Sequence, residues 1–282
     1  MYCDLSLDAG KGKSALLDKT VSRAFQLGYT TIAIDWVVEP TTKQFKGIDK
    51  GSYEVPKGKR LLHRCTIPLG QGNTGNRIAA LAAVEGHFDV VAVQPTDEAS
   101  FGAACNMDQQ AVDMISMDLS RRQSFHFRYS QVGVAIQRGF YFEICYGAAI
   151  HDVASRRHLI ANAQGLVRAS RGRNLILSSR ASRALSLRGP ADVMNLASLF
   201  NLSGNEAKDA LVTAPRRVIM HAAYRKDAVK SAIVILPSGE KEEGKRESSS
   251  QTKGENEKRR LSKAKDEDKV IKKSRSVQEQ GK

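Results

Sequence analysis

Guanidinium and hydroxyl groups crowd one stretch of the chain, Asn174 to Pro190, which reads NLILSSRASRALSLRGP. The short apolar run Leu175 to Leu177 leads into Ser178 and Ser179. Arg180, Arg183 and Arg188 follow among small residues and leucines, before Gly189-Pro190 opens a helix. No acid lies between Asn174 and Asp192. Arginines without carboxylates beside them favour holding an anion, a phosphate above all, over cleaving a bond. Further basic groups stand at Arg168, Arg171 and Arg173, just ahead of the same strand, and at Arg216-Arg217 and Arg225-Lys226. Arg121-Arg122 with Phe125, His126, Phe127, Arg128 and Tyr129 interleaves cations with aromatics. That pattern either clamps a nucleic-acid backbone and stacks bases, or buries the two phenylalanines in the core with arginines exposed beside them.

Catalytic constellations are sparse. The six histidines, His63, His87, His126, His151, His158 and His221, show no metal-ligand spacing, and Ser178-Ser179 lacks the GxSxG context of an activated serine. Carboxylates at predicted strand ends (Asp8, Asp35, Glu39, Asp97, Asp118) are scattered rather than clustered. Asp4 and Glu143 sit inside apolar strands, where the expected partner is a barrel-lining or interface arginine, the other reading being a residual acid site. Gly70 to Gly75 (GQGNTG) lacks the Lys-Ser/Thr of a phosphate loop and reads as a turn. No metal and no cofactor is expected.

The elements that must hold these groups alternate. Strands are predicted over Tyr2–Leu7, Thr30–Val38, Leu61–Ile67, Phe88–Val93, Val112–Met117, Phe140–Tyr146 and Asn174–Ser178. Helices are expected over Leu16–Leu27, Asn76–Val84, Glu98–Asn106, Tyr129–Arg138, His151–Ser170, Ala191–Leu202 and Asn205–Val212. Glu39 to Arg60 is an excursion rich in Lys, Gly and Pro. Val218–Met220 reads equally as an eighth strand or as the middle of a helix. Alternation over about 220 residues predicts a parallel α/β architecture, and seven or eight units favour a TIM-like barrel over an open doubly wound sheet.

The 282 residues carry a formal charge of +14, from 44 basic and 30 acidic side chains. The segment from Ser238 holds 14 of the basic and 10 of the acidic residues, which leaves +10 on the first 237. So basic a body prefers polyanions. Cys3, Cys65, Cys105 and Cys145 are too dispersed for a zinc site or a disulfide framework. The start MYCDLSLDAG is too acidic for a signal peptide, and no apolar run approaches a membrane span. The chain is expected to be soluble and intracellular, with no membrane partner. Two domains are expected: a barrel over residues 1–237, and a disordered charged tail over 238–282. In that tail Lys258–Lys265 and Lys272–Arg275 are basic clusters suited to nuclear import or loose RNA contact.

Val132–Ile150 (VGVAIQRGFYFEICYGAAI) and Leu175–Tyr224 carry a resemblance to a known family. Its residues are Ala135-Ile136 with Arg138-Gly139, Phe142-Glu143, Tyr146, Ala149-Ile150, Ser178-Ser179, Leu187-Arg188-Gly189-Pro190, Asp192-Val193, Asn195-Leu196 and Tyr224-Arg225-Lys226. In these the chain resembles the thirty-kilodalton protein subunits of ribonuclease P and ribonuclease MRP, over roughly Met1 to Pro237. The resemblance implies a barrel akin to the polymerase-and-histidinol-phosphatase enzymes but without their metal-binding histidines. It further implies a noncatalytic, nuclear and nucleolar subunit that partners the RNA component, precursor tRNA and other protein subunits. The expected RNA-binding set is Arg138, Arg171, Arg173, Ser179, Arg180, Arg183, Arg188, Arg225 and Lys226. The alternative is a barrel metallophosphoesterase acting on small phosphates or nucleic acid.

Overall fold

In a computed structural model the described residues are 1–10, 14–39, 53–70, 86–108, 110–229 and 232–233. The helix expected over Asn76–Val84, the GQGNTG turn beyond Gly70, most of the Glu39–Arg60 excursion and the whole tail from Ser238 lie outside them.

Seven strands form one sheet in chain order, each parallel to the next: β1 (Tyr2–Asp8), β2 (Tyr29–Val37), β3 (Arg60–Leu69), β4 (Val90–Pro95), β5 (Met114–Met117), β6 (Phe142–Cys145) and β7 (Leu175–Ser178). They are short, β-branched or aromatic runs, buried on both faces as parallel strands under helices must be. The helices are α1 (Ala15–Gln26), α2 (Glu98–Cys105), α3 (Tyr129–Gln137), α4 (Ala148–His151), α5 (Val153–Ser170), α6 (Pro190–Ala197), α7 (Gly204–Leu211) and α8 (Thr213–Asp227). None among the described residues is long and apolar enough to cross a membrane. A small antiparallel pair, Ala228–Val229 with Ala232–Ile233, follows α8 and has no counterpart in the sequence reading.

The sheet curls until its ends meet. Leu7 bridges Ala181, the Asp8 amide donates to the Ala181 carbonyl at 3.1 Å, and the Arg180 amide donates to the Ser6 carbonyl at 2.7 Å. Two irregularities make this seam possible. The register of β1 shifts between Asp4 and Leu7, and Arg180 adopts a left-handed φ of 49°. A third condition is the missing side chain of Gly147. A Cβ there would stand 2.3 Å from the Ser179 carbonyl oxygen, to which the Gly147 amide donates at 2.9 Å.

Outside the barrel, α1 packs on β1 and β2 through Leu17, Val21, Ala24 and Phe25 against Leu7, Ile32 and Ile34. A larger layer runs under α2, α3, α5, α6 and α7. Inside, the end where the strands begin is filled by Cys3, Leu5, Ala33, Leu62, Val90, Ala92, Met114 and Ile176. Helix α8 plugs that end with Ala214, Val218, Ile219 and Ala222. Val218–Met220 is therefore mid-helix. Its short apolar run fits either period, and only the spacing 214, 218, 222 carries the helical one. All four cysteines are buried, free thiols.

Several expected boundaries move, among them those of β4, β5 and β6, and two helix boundaries move for a visible reason. The long helix placed at His151–Ser170 starts at Val153, because the Asp152 carboxylate caps it by accepting from the Ser155 amide at 2.7 Å. His151 instead ends the short α4. Pro190 takes the first turn of α6, which closes in a 3₁₀ turn at Ser198–Phe200 rather than running to Leu202.

Candidate functional site

The middle of the barrel is occupied by an arginine. Arg64 of β3 points inward at 0% exposure and grips Glu143 of β6 with both terminal nitrogens, at 2.6 and 2.7 Å. Its Nη1 also donates to the Leu5 carbonyl (2.9 Å) and its Nε to the Thr66 hydroxyl (3.2 Å). Asp35 of β2 stands 3.5 Å from Nε and accepts from the hydroxyls of Thr66 (2.6 Å) and Ser6 (2.9 Å). Ser116 donates to Glu143 at 2.6 Å. Burial would raise the Glu143 pKa, but the bidentate guanidinium and the Ser116 hydroxyl outweigh it and hold the carboxyl to about 2. Asp35 faces only one edge of the guanidinium. There burial prevails, and its pKa is raised.

The arginine partner expected for Glu143 is thus Arg64. For Asp4 that expectation fails. Asp4 lies in the barrel seam, where Oδ1 accepts from the amides of Ser6 (3.2 Å) and Ser179 (3.1 Å). Its Oδ2 is buried without a hydrogen-bond donor among the described residues. Burial pushes this carboxyl up to about 6, with the two amides offsetting part of the shift. A bulged strand brings the acid to backbone donors, which no spacing in the sequence signals.

The loop after β7 leaves the barrel at its C-terminal end, where barrel enzymes assemble their reacting groups. Ser179 is buried there, donating its hydroxyl to the Ser6 carbonyl (3.2 Å) and accepting from the Ala181 amide (3.2 Å), so its polar atoms serve the seam. Arg180 is half-buried at the barrel mouth, with Nη2 3.4 Å from the Gln94 Oε1. Arg183 and Arg188 are exposed and form no ion pair with a described residue.

Two buried tyrosines hold Arg188 by its backbone. The Tyr29 hydroxyl donates to its carbonyl at 3.0 Å, and its amide donates to the Tyr146 hydroxyl at 3.2 Å. Arg188 Nη1 donates to the carbonyls of Leu185 and Leu187, both at 2.8 Å. Its other guanidinium nitrogens have no hydrogen-bond partner among the described residues. His151 Nε2 lies 2.7 Å from the Ser186 hydroxyl and ties α4 to the same loop.

The remaining five residues of the predicted set fall at the opposite end, where strands begin. Arg138 is exposed after α3, with Nη2 donating to the Met107 carbonyl at 2.6 Å. Arg171 is exposed and ends α5 in a left-handed turn, and Arg173 is exposed two residues on. Arg225 is engaged internally. Its guanidinium reaches both oxygens of Asp113 (3.1 and 2.9 Å) with its side chain 8% exposed, and His221 Nδ1 shares that carboxylate at 2.8 Å. Lys226 pairs with Asp89 at 2.6 Å. These two contacts anchor α8 across the barrel floor.

The sequence gives no reading of Arg64 and names Tyr146 without pairing it to Tyr29. An arginine amid Leu62, Cys65 and Ile67 was the available signal, since a buried cation demands an acid. The aromatic segment resolves toward the core for its phenylalanines. Phe125 is buried, and its ring centroid lies 5.3 Å from that of Phe101 and 5.6 Å from that of Phe127. Among the described residues no three His, Cys, Asp or Glu side chains converge as metal ligands.

The family model for RNase P subunit p30 matches residues 1–227. The mouse ribonuclease P protein subunit p30 is 37% identical over 240 residues, spanning 80% of this chain and 88% of its own length. The probable ribonuclease P protein subunit 3 of Schizosaccharomyces pombe is 31% identical over 223 residues, spanning 78% and 92%. A chain in the cryo-EM structure of archaeal ribonuclease P with mature tRNA shares the fold, with a TM-score of 0.59 at 11% identity over 84% of this chain and 100% of that one. With the barrel, its seam and its arginine-bearing loop in place, the whole-barrel match means that the chain belongs to the RNase P subunit p30 family.

Proposed function

We propose that the chain is a noncatalytic, RNA-binding protein subunit of ribonuclease P, of ribonuclease MRP, or of both. In this reading it supports removal of the 5′ leader from precursor tRNA by the RNA component, beside other protein subunits in the nucleus and nucleolus. The basic clusters Lys258–Lys265 and Lys272–Arg275 in the tail suit import into that compartment. One observation carries the reading. The barrel interior is filled by the Arg64–Glu143 pair, while at the C-terminal end, where a barrel enzyme places its reacting groups, Arg183 and Arg188 stand on a pinned loop without an acid partner among the described residues. Fixed cations without acids bind phosphate oxygens and orient an RNA without reading its sequence.

Of the two barrel ends, the mouth suits RNA best. Arg225 and Lys226 at the other end already neutralise Asp113 and Asp89. Arg138, Arg171 and Arg173 remain as exposed cations for a second contact.

The test is a salt titration of RNA affinity. Each lost phosphate contact lowers the slope of log K against log salt by roughly 0.7–0.9. Arg183→Ala with Arg188→Ala is expected to weaken binding and lower the slope by about twice that amount. Arg225→Ala is expected to leave the slope unchanged while lowering stability. An unchanged slope in the double variant would place those side chains against protein instead.

A further inference from the structure

A cavity of about 260 Å³ lies between the Phe125–Tyr129 segment and α5, and none of the arginines of the loop after β7 lines it. Its walls include His126, Phe127, Tyr129, Asn162, Gly165 and Arg168. The volume is below the roughly 300–1,000 Å³ usual for drug-sized ligands and suits a single ring system.

The walls are built rather than incidental. Phe127 is held by edge-on packing, its ring centroid 5.6 Å from that of Phe125 and 5.4 Å from that of Phe101, with interplanar angles of 81° and 64°. Asn162 Nδ2 donates to the carbonyls of Leu119 (2.9 Å) and Arg121 (2.8 Å), which fixes the side chain and ties the segment to α5. That leaves Asn162 Oδ1 as an acceptor without a donor among the described residues. Gly165 lies on the floor, where a Cβ would meet Phe127 at an ordinary contact distance of 3.7 Å. Tyr129 is 54% exposed, a large ring that the core does not use.

Charge selects the occupant. Arg168 is exposed on the cavity wall, Arg122 is exposed three residues ahead of Phe125 in the chain, and neither pairs with an acid among the described residues. Arg128 nearby is already neutralised by Glu98 at 2.7 Å. The first 237 residues carry +10. Aromatic walls, a fixed amide acceptor and unpaired guanidiniums together match an unstacked nucleobase with its flanking phosphates.

We infer that this cavity receives one unpaired nucleotide of RNA, its base against Tyr129 and Phe127 and its phosphate on Arg168. The inference rests on the RNA-binding reading above, and adds a single-strand site separate from the arginines at the barrel mouth.

Fluorescence anisotropy of the full chain with a short oligouridine and with a blunt RNA duplex tests it. Tyr129 and Arg168 are exposed, so Tyr129→Ala and Arg168→Ala should fold, which thermal unfolding checks. Losing one base stack weakens oligouridine binding roughly 5-fold or more. Tyr129→Ala is expected to show that loss with duplex affinity and salt slope unchanged, and Tyr129→Phe to restore it. Arg168→Ala is expected to lower the oligouridine salt slope by about 0.7. Equal oligouridine affinity in the parent and both alanine variants would overturn the cavity and leave the barrel-mouth reading standing. No binding of either RNA by the parent chain would overturn both. Intact oligouridine binding, with variants that no longer join the other subunits of the particle, would make the cavity a socket for a protein side chain and end the inference.

Discussion

Asp4 shows how one side chain couples the barrel seam to pH. Its Oδ1 accepts two amides, while Oδ2 is buried without a donor among the described residues. The folded carboxyl titrates at about 6, against roughly 3.9 for an unfolded aspartate. Between those values the folded state binds more protons than the unfolded one. The Asp4 contribution to stability is therefore fullest below about pH 4, declines as pH rises to about 6 and is level above that. Asp4→Asn removes this dependence. Relative to the parent, the variant is expected to gain roughly 1–3 kcal/mol between pH 4 and pH 7, whatever its absolute stability. Urea denaturation midpoints at both pH values measure it, and a difference that does not vary with pH would refute the protonation of Asp4. Glu143 behaves oppositely: held to about 2 by Arg64, it stays charged throughout that range.

The decisive element is the seam that joins β1 to the loop after β7. It fixes Ser179, sets the left-handed Arg180 and aims the following loop outward, and it depends on the absence of a side chain at Gly147. Gly147 itself has an ordinary helical φ of −58°, so strain is not the reason for glycine. Steric exclusion by the Ser179 carbonyl is. Gly147→Ala is expected to destabilise by about 1–3 kcal/mol or more, because backbone on both sides must move. Gly133, within α3, has nothing within 4 Å of a built Cβ. There Gly133→Ala is expected to stabilise by up to about 1 kcal/mol. Chemical denaturation of the two variants gives opposite signs if the seam argument holds. Helix α8 matters equally at the other end, where it fills the barrel floor and is anchored by Arg225 and Lys226.

Taken whole, the chain keeps an enzyme-like barrel whose interior is satisfied by its own charges. Arg64 takes Glu143 in two hydrogen bonds and stands 3.5 Å from Asp35, which Thr66 and Ser6 hydrogen-bond, and no metal-ligand set converges among the described residues. Purified chain given precursor tRNA with Mg²⁺ or Mn²⁺ is accordingly expected to leave the RNA intact. Robust metal-dependent cleavage, abolished by Asp4→Ala, would reverse the proposed role. The positive charge then acts outward, on exposed arginines at both barrel ends and beside α5.

Much of this was legible in the residues themselves. Short, nearly continuous apolar runs located all seven strands, and period-3.6 patterning most of the helices. The arginine-rich stretch after β7 stood out by composition alone. These are local signals, carried within one element. What folding decided is pairing at long range. Whether Val218–Met220 was strand or helix depended on a barrel floor that needed plugging. Arg225, expected from the sequence as an RNA ligand, is carried by α8 to Asp113, 112 residues away in sequence. Arg64 found Glu143 across 79 residues, and Asp4 met the Ser179 amide across 175. A buried charge in a sequence announces that a partner is required, and only closure of the barrel chooses which one.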